Sequence, residues 1–519
     1  MFCAKSPAMI TPFYTPAENP PFNMARYCLE AGTLATPTKP ALLVIAAPGA
    51  PPAEIWTYAD LEDAVLRTAG ALRQAGLKPG DRVLIRLDNT SAYAVLFFAV
   101  IAAGLVALPA SNQLTEPEAL FLLEDSGAAA VACLSPLDTS ALASAPLLLS
   151  PDDIARMMRE GPRIDYAPTR AEDPAFLIYT SGTTARPKGV LHAHRSAIGR
   201  RPMYQGWYGL RPDDRVLHAG AFNWTFTLGV GLTDPWANGA TAIIYTGEKD
   251  PAFWPRLIRD TDATLFAGVP GVFRQMLKYA DVTPAAIPSL RHGLMAGEAP
   301  PHGLFDEWAA RSGREIHEGL GMSELSTYIS TSPTVPRRPG TVGKAQPGRN
   351  VVILPVDGPD EPLPPETEGL IAVHRSDRGL MLGYWNRAAE QAEVTRGEWF
   401  VGGDLGTMDA DGYITHTGRN NEVMKALGYR VSPLEVEAVL AAHPGIAEVA
   451  CAELAVRADV HIVGAFVVMK DDAPRDANAI MAFATERLAA YKCPREIRFV
   501  DALPRTANGK IRRAGLVRM

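Results

Sequence analysis

The stretch Tyr179-Thr-Ser-Gly-Thr-Thr-Ala-Arg-Pro-Lys-Gly-Val190 is a hydroxyl-rich, glycine-bearing loop at the end of an apolar run of strand length, Ala175 to Tyr179. The hydroxyls of Thr180, Ser181, Thr183 and Thr184, with backbone N–H groups freed by Gly182, offer donors to an anion, and Lys188 adds a point charge. Such a loop is suited to holding phosphate. It is not a Walker A loop, because Pro187 stands where that motif has its second glycine and Gly189 where it has its Ser or Thr. A plain surface Ser/Thr turn is the alternative reading of the same residues.

Outward from this loop, apolar runs such as Arg82 to Leu87, Ala129 to Leu134 and Ala240 to Tyr245 alternate with longer stretches of helical period. In Thr57 to Ala75, for example, Leu61, Val65, Leu66, Ala69 and Leu72 fall on one face. Alternation of this kind predicts α/β layers with largely parallel sheets. The charge-free run Ala92 to Ala110 has the length of a membrane span, but Gly104 and Pro109 punctuate it. It reads instead as a buried helix ending near Gly104, followed by a short strand, Leu105 to Leu108.

After Asp404 the texture changes. Asp409-Ala-Asp-Gly412 is a turn signal, and Gly418-Arg-Asn-Asn-Glu422 is polar and glycine-led, as a linker would be. Beyond it, Pro433 to His443 and Ala477 to Ala489 read as helices, and Ala447 to Leu454 and His461 to Met469 as strands. The expected division is residues 1–420 and 421–519, the second a small α+β domain.

The 519 residues allow about three or four structural units, and a hydrophobic share of 47% argues against a disordered chain. A net charge of −7 argues against a large nucleic-acid-binding face. Cys3, Cys28, Cys133, Cys451 and Cys493 are scattered without C-x-x-C spacing, which suits a reducing compartment. Met1 to Pro20 lacks the apolar run of a signal peptide, so a cytoplasmic location is expected.

Ser181-Gly-Thr-Thr-x-x-Pro-Lys-Gly189 is similar to the phosphate loop of the adenylate-forming superfamily, which includes acyl-CoA synthetases, nonribosomal adenylation domains and firefly-type luciferases. Further segments follow in the order that family shows: Gly319-Leu-Gly-Met-Ser-Glu324, Gly403-Asp-Leu-Gly406, Gly418-Arg419 and Pro504-Arg-Thr-Ala-Asn-Gly-Lys510. The resemblance covers nearly the whole chain and leans toward benzoate-type and medium-chain acyl-CoA ligases. It implies an α/β fold with a large N-terminal domain of several subdomains and a small mobile α+β C-terminal domain.

The resemblance also implies roles for particular residues. ATP would be held by Thr180 to Thr184 and Lys188 at the phosphates, and by Gly297, Glu298 and Ala299 at adenine. Gly319, Leu320, Gly321, Met322 and Ser323 would lie beside the nucleotide, Asp404 would accept from the ribose hydroxyls, and Arg419 would contact ribose or phosphate. Glu324 would bind Mg²⁺, and Lys510, with Thr180 and Glu324 as the other catalytic positions, would bridge the substrate carboxylate and the α-phosphate. Phe222, Trp224, Ala296, Gly321 and Met322 would line the acyl pocket. Asn421 would be the hinge, and Lys425 to Arg430, including Gly428, Tyr429 and Arg430, the loop that meets the pantetheine arm of coenzyme A.

Read without the family, Glu298 is equally a solvated loop charge, and Phe222 and Trp224 are equally core aromatics. Leu320, Asn421 and Ala185 depart from the family's usual Tyr, Asp or Lys, and Gly. The implied chemistry has two halves, acyl-adenylate formation with loss of pyrophosphate and then transfer to a thiol with loss of AMP. An aromatic or short-to-medium-chain acid is expected, with ATP, Mg²⁺ and coenzyme A. A carrier protein is the alternative acceptor, and a catalytically poor nucleotide-binding sensor a remote one. Lys510 is in addition a candidate target for a protein acyltransferase and deacylase.

Overall fold

The fold is seen in a computed structural model that describes residues 20–180, 187–301, 303–420, 424–426, 429–457, 460–488, 490, 492–505, 511–517 and 519. Among these residues the two largest sheets have nine and seven strands. In the seven-stranded sheet, Arg82–Arg86, Val106–Pro109, Ala130–Cys133, Leu147–Leu149 and Pro174–Thr180 run parallel, and Lys188–Ala193 returns antiparallel to Pro174–Thr180. In the nine-stranded sheet, Pro40–Ile45, Thr241–Tyr245, Arg215–His218, Leu265–Gly268, His292–Ala296 and Glu315–Met322 are parallel neighbours in that order. Ser326–Ser330 then folds back antiparallel to Glu315–Met322. The expected α/β layering is present.

The helices begin where local chemistry says they should. Tyr58–Gln74 starts from a capping box in which the Thr57 hydroxyl accepts from Asp60 N–H, and Leu61, Val65, Leu66, Ala69 and Leu72 are all buried. Ser91–Ala102 is buried all round, as a helix without a polar face must be in a folded interior. Gly104, at φ +74°, turns the chain out of that helix toward the strand Val106–Pro109. Phe97, Phe98 and Ile101 join one core with Leu42 and Val44 of the nine-stranded sheet and Val83 and Ile85 of the seven-stranded sheet. At about 1.5–3 kcal/mol per buried large apolar side chain, this layer sets how the two sheets lie. No helix among the described residues is long and apolar enough to cross a membrane.

Toward the C-terminus, Ile446–Arg457 pairs antiparallel with Val460–Met469, and Glu496–Phe499 adds parallel to the latter. Pro433–Ala441 and Ala477–Thr485 cover this sheet, and Val436, Leu440, Cys451, Val463, Val467 and Ile480 form its own core. The second helix ends four residues short of the expected Ala489. One expectation is corrected: Gly418 and Arg419 are not linker but the last residues of the strand Ile414–Arg419, where Arg419 pairs with Asp404 and Gly418 with Leu405. Gly418 is buried there, and Arg419 is half-buried with its guanidinium donating to the Gly402 carbonyl. An ion pair ties the C-terminal sheet to the preceding body, Arg274 Nη1 to Glu448 Oε1 at 2.7 Å, and Arg505 also reaches Glu448, at 2.9 Å.

Candidate functional site

The hairpin that carries the phosphate-loop motif is Pro174–Thr180 with Lys188–Ala193, and its last register pair is Thr180 opposite Lys188. Ser181, Gly182, Thr183, Thr184 and Ala185 lie outside the described residues, so the structure speaks here through Thr180 and Lys188. Lys188 Nζ stands 5.4 Å from the centre of the Tyr384 ring. Tyr384 donates its hydroxyl to Glu324 Oε1 at 2.7 Å. Lysine, tyrosine and glutamate, far apart in sequence, thus form one cluster at the mouth of the hairpin. Burial and the neighbouring Glu324 carboxylate raise the Tyr384 phenol well above its ordinary value, so it remains a donor.

Glu324 sits in the turn between Glu315–Met322 and Ser326–Ser330, and several contacts hold that turn from behind. His192 Nε2 bonds the Ser323 carbonyl at 2.8 Å, which places the ring proton on Nε2, and the imidazole stacks on Phe176 with centroids 4.6 Å apart. Burial lowers the His192 pKa to about 3, so the ring is neutral. Ser326 leaves the turn at φ +75°, an unusual backbone for a residue with a Cβ, and its hydroxyl accepts from Arg200 Nη1 at 2.6 Å. Arg200 is itself buried in a two-point pair with Asp234, at 2.7 Å on both sides, and Tyr208 donates to the same carboxylate. None of His192, Arg200, Ser326 or Tyr384 carries a sequence signal; Ser326 belongs to the same turn as Glu324, and long-range packing brings the other three to it.

Gly319 and Gly321 are required by close approach rather than by a turn. A Cβ on Gly319 would lie 2.5 Å from Thr327 Cγ2, and one on Gly321 would lie 2.7 Å from the Ser326 carbonyl oxygen. Leu320, between them, and Met322, after them, are half-buried, with the Met322 sulfur 2.8 Å from where a Gly402 Cβ would stand. Asp404 is buried and bonded to His416 Nε2 at 3.1 Å, with Arg419 Nε at 3.8 Å. Arg419 also donates to the Gly402 carbonyl at 3.2 Å. Asp404 and Arg419 therefore arrive together, as adjacent-strand partners.

Beside Gly319, Glu318 is a carboxyl the sequence reading passed over. It is 9% exposed, and burial pushes its pKa up to about 7 against the opposing pull of Arg337.

At the end of His292–Ala296, Gly297 takes φ +106°, and a Cβ there would lie 2.9 Å from Trp224 Cη2. Trp224 is half-buried and lies edge-on to Phe226, with centroids 5.3 Å apart. Trp224, Ala296 and Gly297 are thus brought together. Phe222 is buried against Tyr93, 5.9 Å between centroids, within the core that holds the helix Ser91–Ala102. Glu298 and Ala299 continue from Gly297 in the loop after that strand.

Met424–Ala426 and Tyr429–Val431 form a short antiparallel hairpin in which Lys425 pairs with Arg430. Asn421, Gly428 and Lys510 lie outside the described residues, as do the side chains of Lys425, Tyr429 and Arg430.

A large α/β body, a hydroxyl-bearing hairpin facing a carboxylate turn, and a small α+β C-terminal part define a nucleotide-using, adenylate-forming architecture. The chain belongs to the AMP-binding enzyme family, whose match spans residues 30–385, and residues 435–510 match the AMP-binding enzyme C-terminal domain. It is 33% identical over 480 residues to benzoate–CoA ligase of Thauera aromatica, covering 88% of this chain and 90% of that protein. A mitochondrial acyl-coenzyme A synthetase of Rattus norvegicus is 29% identical over 489 residues, covering 89% of this chain and 84% of that one. A solved benzoate CoA ligase from Burkholderia xenovorans LB400 superposes with a TM-score of 0.84 at 30% identity, covering 95% of this chain and 99% of the other.

Proposed function

We propose that the protein is an ATP-dependent carboxylic acid–CoA ligase acting on an aromatic or short-to-medium-chain acid. The observation that carries this reading is the convergence of Lys188, Tyr384 and Glu324 at the mouth of the Thr180 hairpin. A carboxylate oxygen of the acid attacks the α-phosphorus of ATP and pyrophosphate leaves; the CoA thiolate then attacks the acyl carbon and AMP leaves. Thr180 and Lys188 serve the phosphates, Asp404 and Arg419 the ribose side, and Trp224, Ala296 and Gly297 the acyl end. Lys510 draws the two anions together in the first step.

The site fits Mg²⁺ by its chemistry. Among the described residues no group of three or more His, Cys, Asp or Glu gathers as a metal cage. A single carboxylate, Glu324, set in place by Tyr384, is what an ion that keeps its waters and shares phosphate oxygens requires. When bound, the ion neutralises charge on the phosphates.

The same reading places the domain boundary at 420/421, with Asn421 the hinge and the hairpin around Gly428 the CoA-facing element. It places the protein in the cytoplasm, in keeping with the free, buried Cys28, Cys133 and Cys451. It also makes Lys510 a site at which a protein acyltransferase and deacylase would switch activity. Acid-dependent pyrophosphate release across a panel of aromatic and C4–C10 carboxylic acids tests the activity, followed by offering CoA and a phosphopantetheinylated carrier protein to the adenylate. Release with thioester formed on CoA is the expected result. ATP binding without release for any acid would overturn the enzyme reading, and transfer to the carrier alone would overturn the acceptor.

A further inference from the structure

His218 ends the strand Arg215–His218, is 5% exposed, and pairs across the sheet with Ala267. Leu217 and Ala219 pack on the opposite face, whereas Ala267 shares a core with Ala296 and Phe226. By the two-residue period of a strand, His218 therefore stands on the face that carries the acyl end. Phe226 meets its ring edge-on at 4.9 Å and in turn meets Trp224, so the three side chains form a continuous wall leading to Gly297.

The tautomer follows from one bond. Gly220 N–H donates to His218 Nδ1 at 2.7 Å, so Nδ1 is an acceptor, and burial keeps the ring neutral. The proton is then on Nε2, which is buried and has no hydrogen-bond partner among the described residues. His194 also has a buried, unpartnered Nε2, but its Nδ1 accepts from Met24 N–H, in the core that holds the helix Ser91–Ala102. Position at the end of a parallel strand beside the acyl wall is what sets His218 apart.

We propose that His218 is a specificity-determining residue. Its Nε2–H donates to a hydrogen-bond-accepting oxygen on the acid, borne away from the carboxylate. The preferred substrates are therefore oxygen-substituted acids rather than plain benzoate or a plain alkanoate. This inference rests on the acid–CoA ligase reading. Nε2–H is already buried without a partner among the described residues before the acid binds, so a plain acid leaves that cost unchanged, whereas an acceptor on the acid relieves it.

The test compares matched pairs by pyrophosphate release: benzoate against its three hydroxy and three methoxy derivatives, and hexanoate against 6-hydroxyhexanoate. The parent protein should favour at least one oxygenated acid over its plain counterpart by about tenfold or more in kcat/KM, chiefly through KM. His218→Asn keeps an acceptor for Gly220 N–H but lacks a donor at the Nε2 position, and should bring that ratio to about one. His218→Gln places an amide N–H near the Nε2 position and should preserve most of it. Equal use of every pair by the parent, or a preference that survives His218→Asn, overturns the assignment. If no acid drives pyrophosphate release, the ligase reading falls, and this inference with it; a flat ratio with active enzyme removes the inference alone.

Discussion

Replacing Glu318 by Gln tests the electrostatics of a buried carboxyl on the strand that leads to the Glu324 turn, because the amide keeps the shape of the side chain and removes the charge. Burial moves this carboxyl from the ordinary 4.5 to about 7. At about 1.4 kcal/mol per pH unit, that displacement is worth roughly 3 kcal/mol. The folded protein holds a proton that the unfolded chain has released between pH 4.5 and about 7. Stability from this group is therefore fully present below pH 4.5 and is lost as pH rises through about 7. Glu318→Gln should match the parent near pH 4.5 and exceed it by about 3 kcal/mol above pH 8. With an unfolding entropy of about 2.1 cal/mol/K per residue over a body of roughly 400 residues, the gain is about 4 °C in Tm. Scanning fluorimetry of both proteins between pH 4.5 and 8.5 in matched buffers reads the difference directly. A Tm difference that is the same at both ends of the range would refute desolvation as the cause.

Trp224→Ala opens the space above Gly297 and should shift kcat/KM toward bulkier acids, whereas unchanged ratios at undiminished activity would return Trp224 to the core. Glu324→Gln should weaken the magnesium dependence of adenylation; a Mg²⁺ titration of pyrophosphate release identical to the parent's would reject the ligand role. His192→Leu deletes the donor to the Ser323 carbonyl and should cost about tenfold in the same titration, while Tm at saturating ATP measures whether the fold survives. Lys510→Ala should slow adenylation from acid and ATP by about 10² to 10³, yet spare thioester formation from supplied acyl-adenylate and CoA. Equal loss in both half-reactions of the folded variant would rule out separate roles for the two steps.

The amino-acid sequence by itself was enough wherever the governing interaction is local. Thr57 and Asp60, three residues apart, start a helix through their own hydrogen bonds, and the uncharged run after Ser91 has no polar face to offer water, so its burial follows. The order of the glycine- and hydroxyl-bearing segments likewise marks the family, since backbone approach to a phosphate restricts which residues fit. Local reading misled at Gly418 and Arg419, because a polar strand end and a polar linker have the same composition; the partner that distinguishes them, Asp404, is brought in only by sheet pairing. Tertiary structure alone decided how Glu324 is held. Its support comes from His192 and from Arg200, which bonds Ser326 behind the turn, and from Tyr384 in front, three residues far from Glu324 in sequence. The same holds for Glu318 and His218, an acid and an imidazole that look ordinary in sequence. Their protonation is set by how much water the surrounding sheets and helices exclude, a quantity that exists only once distant segments have packed.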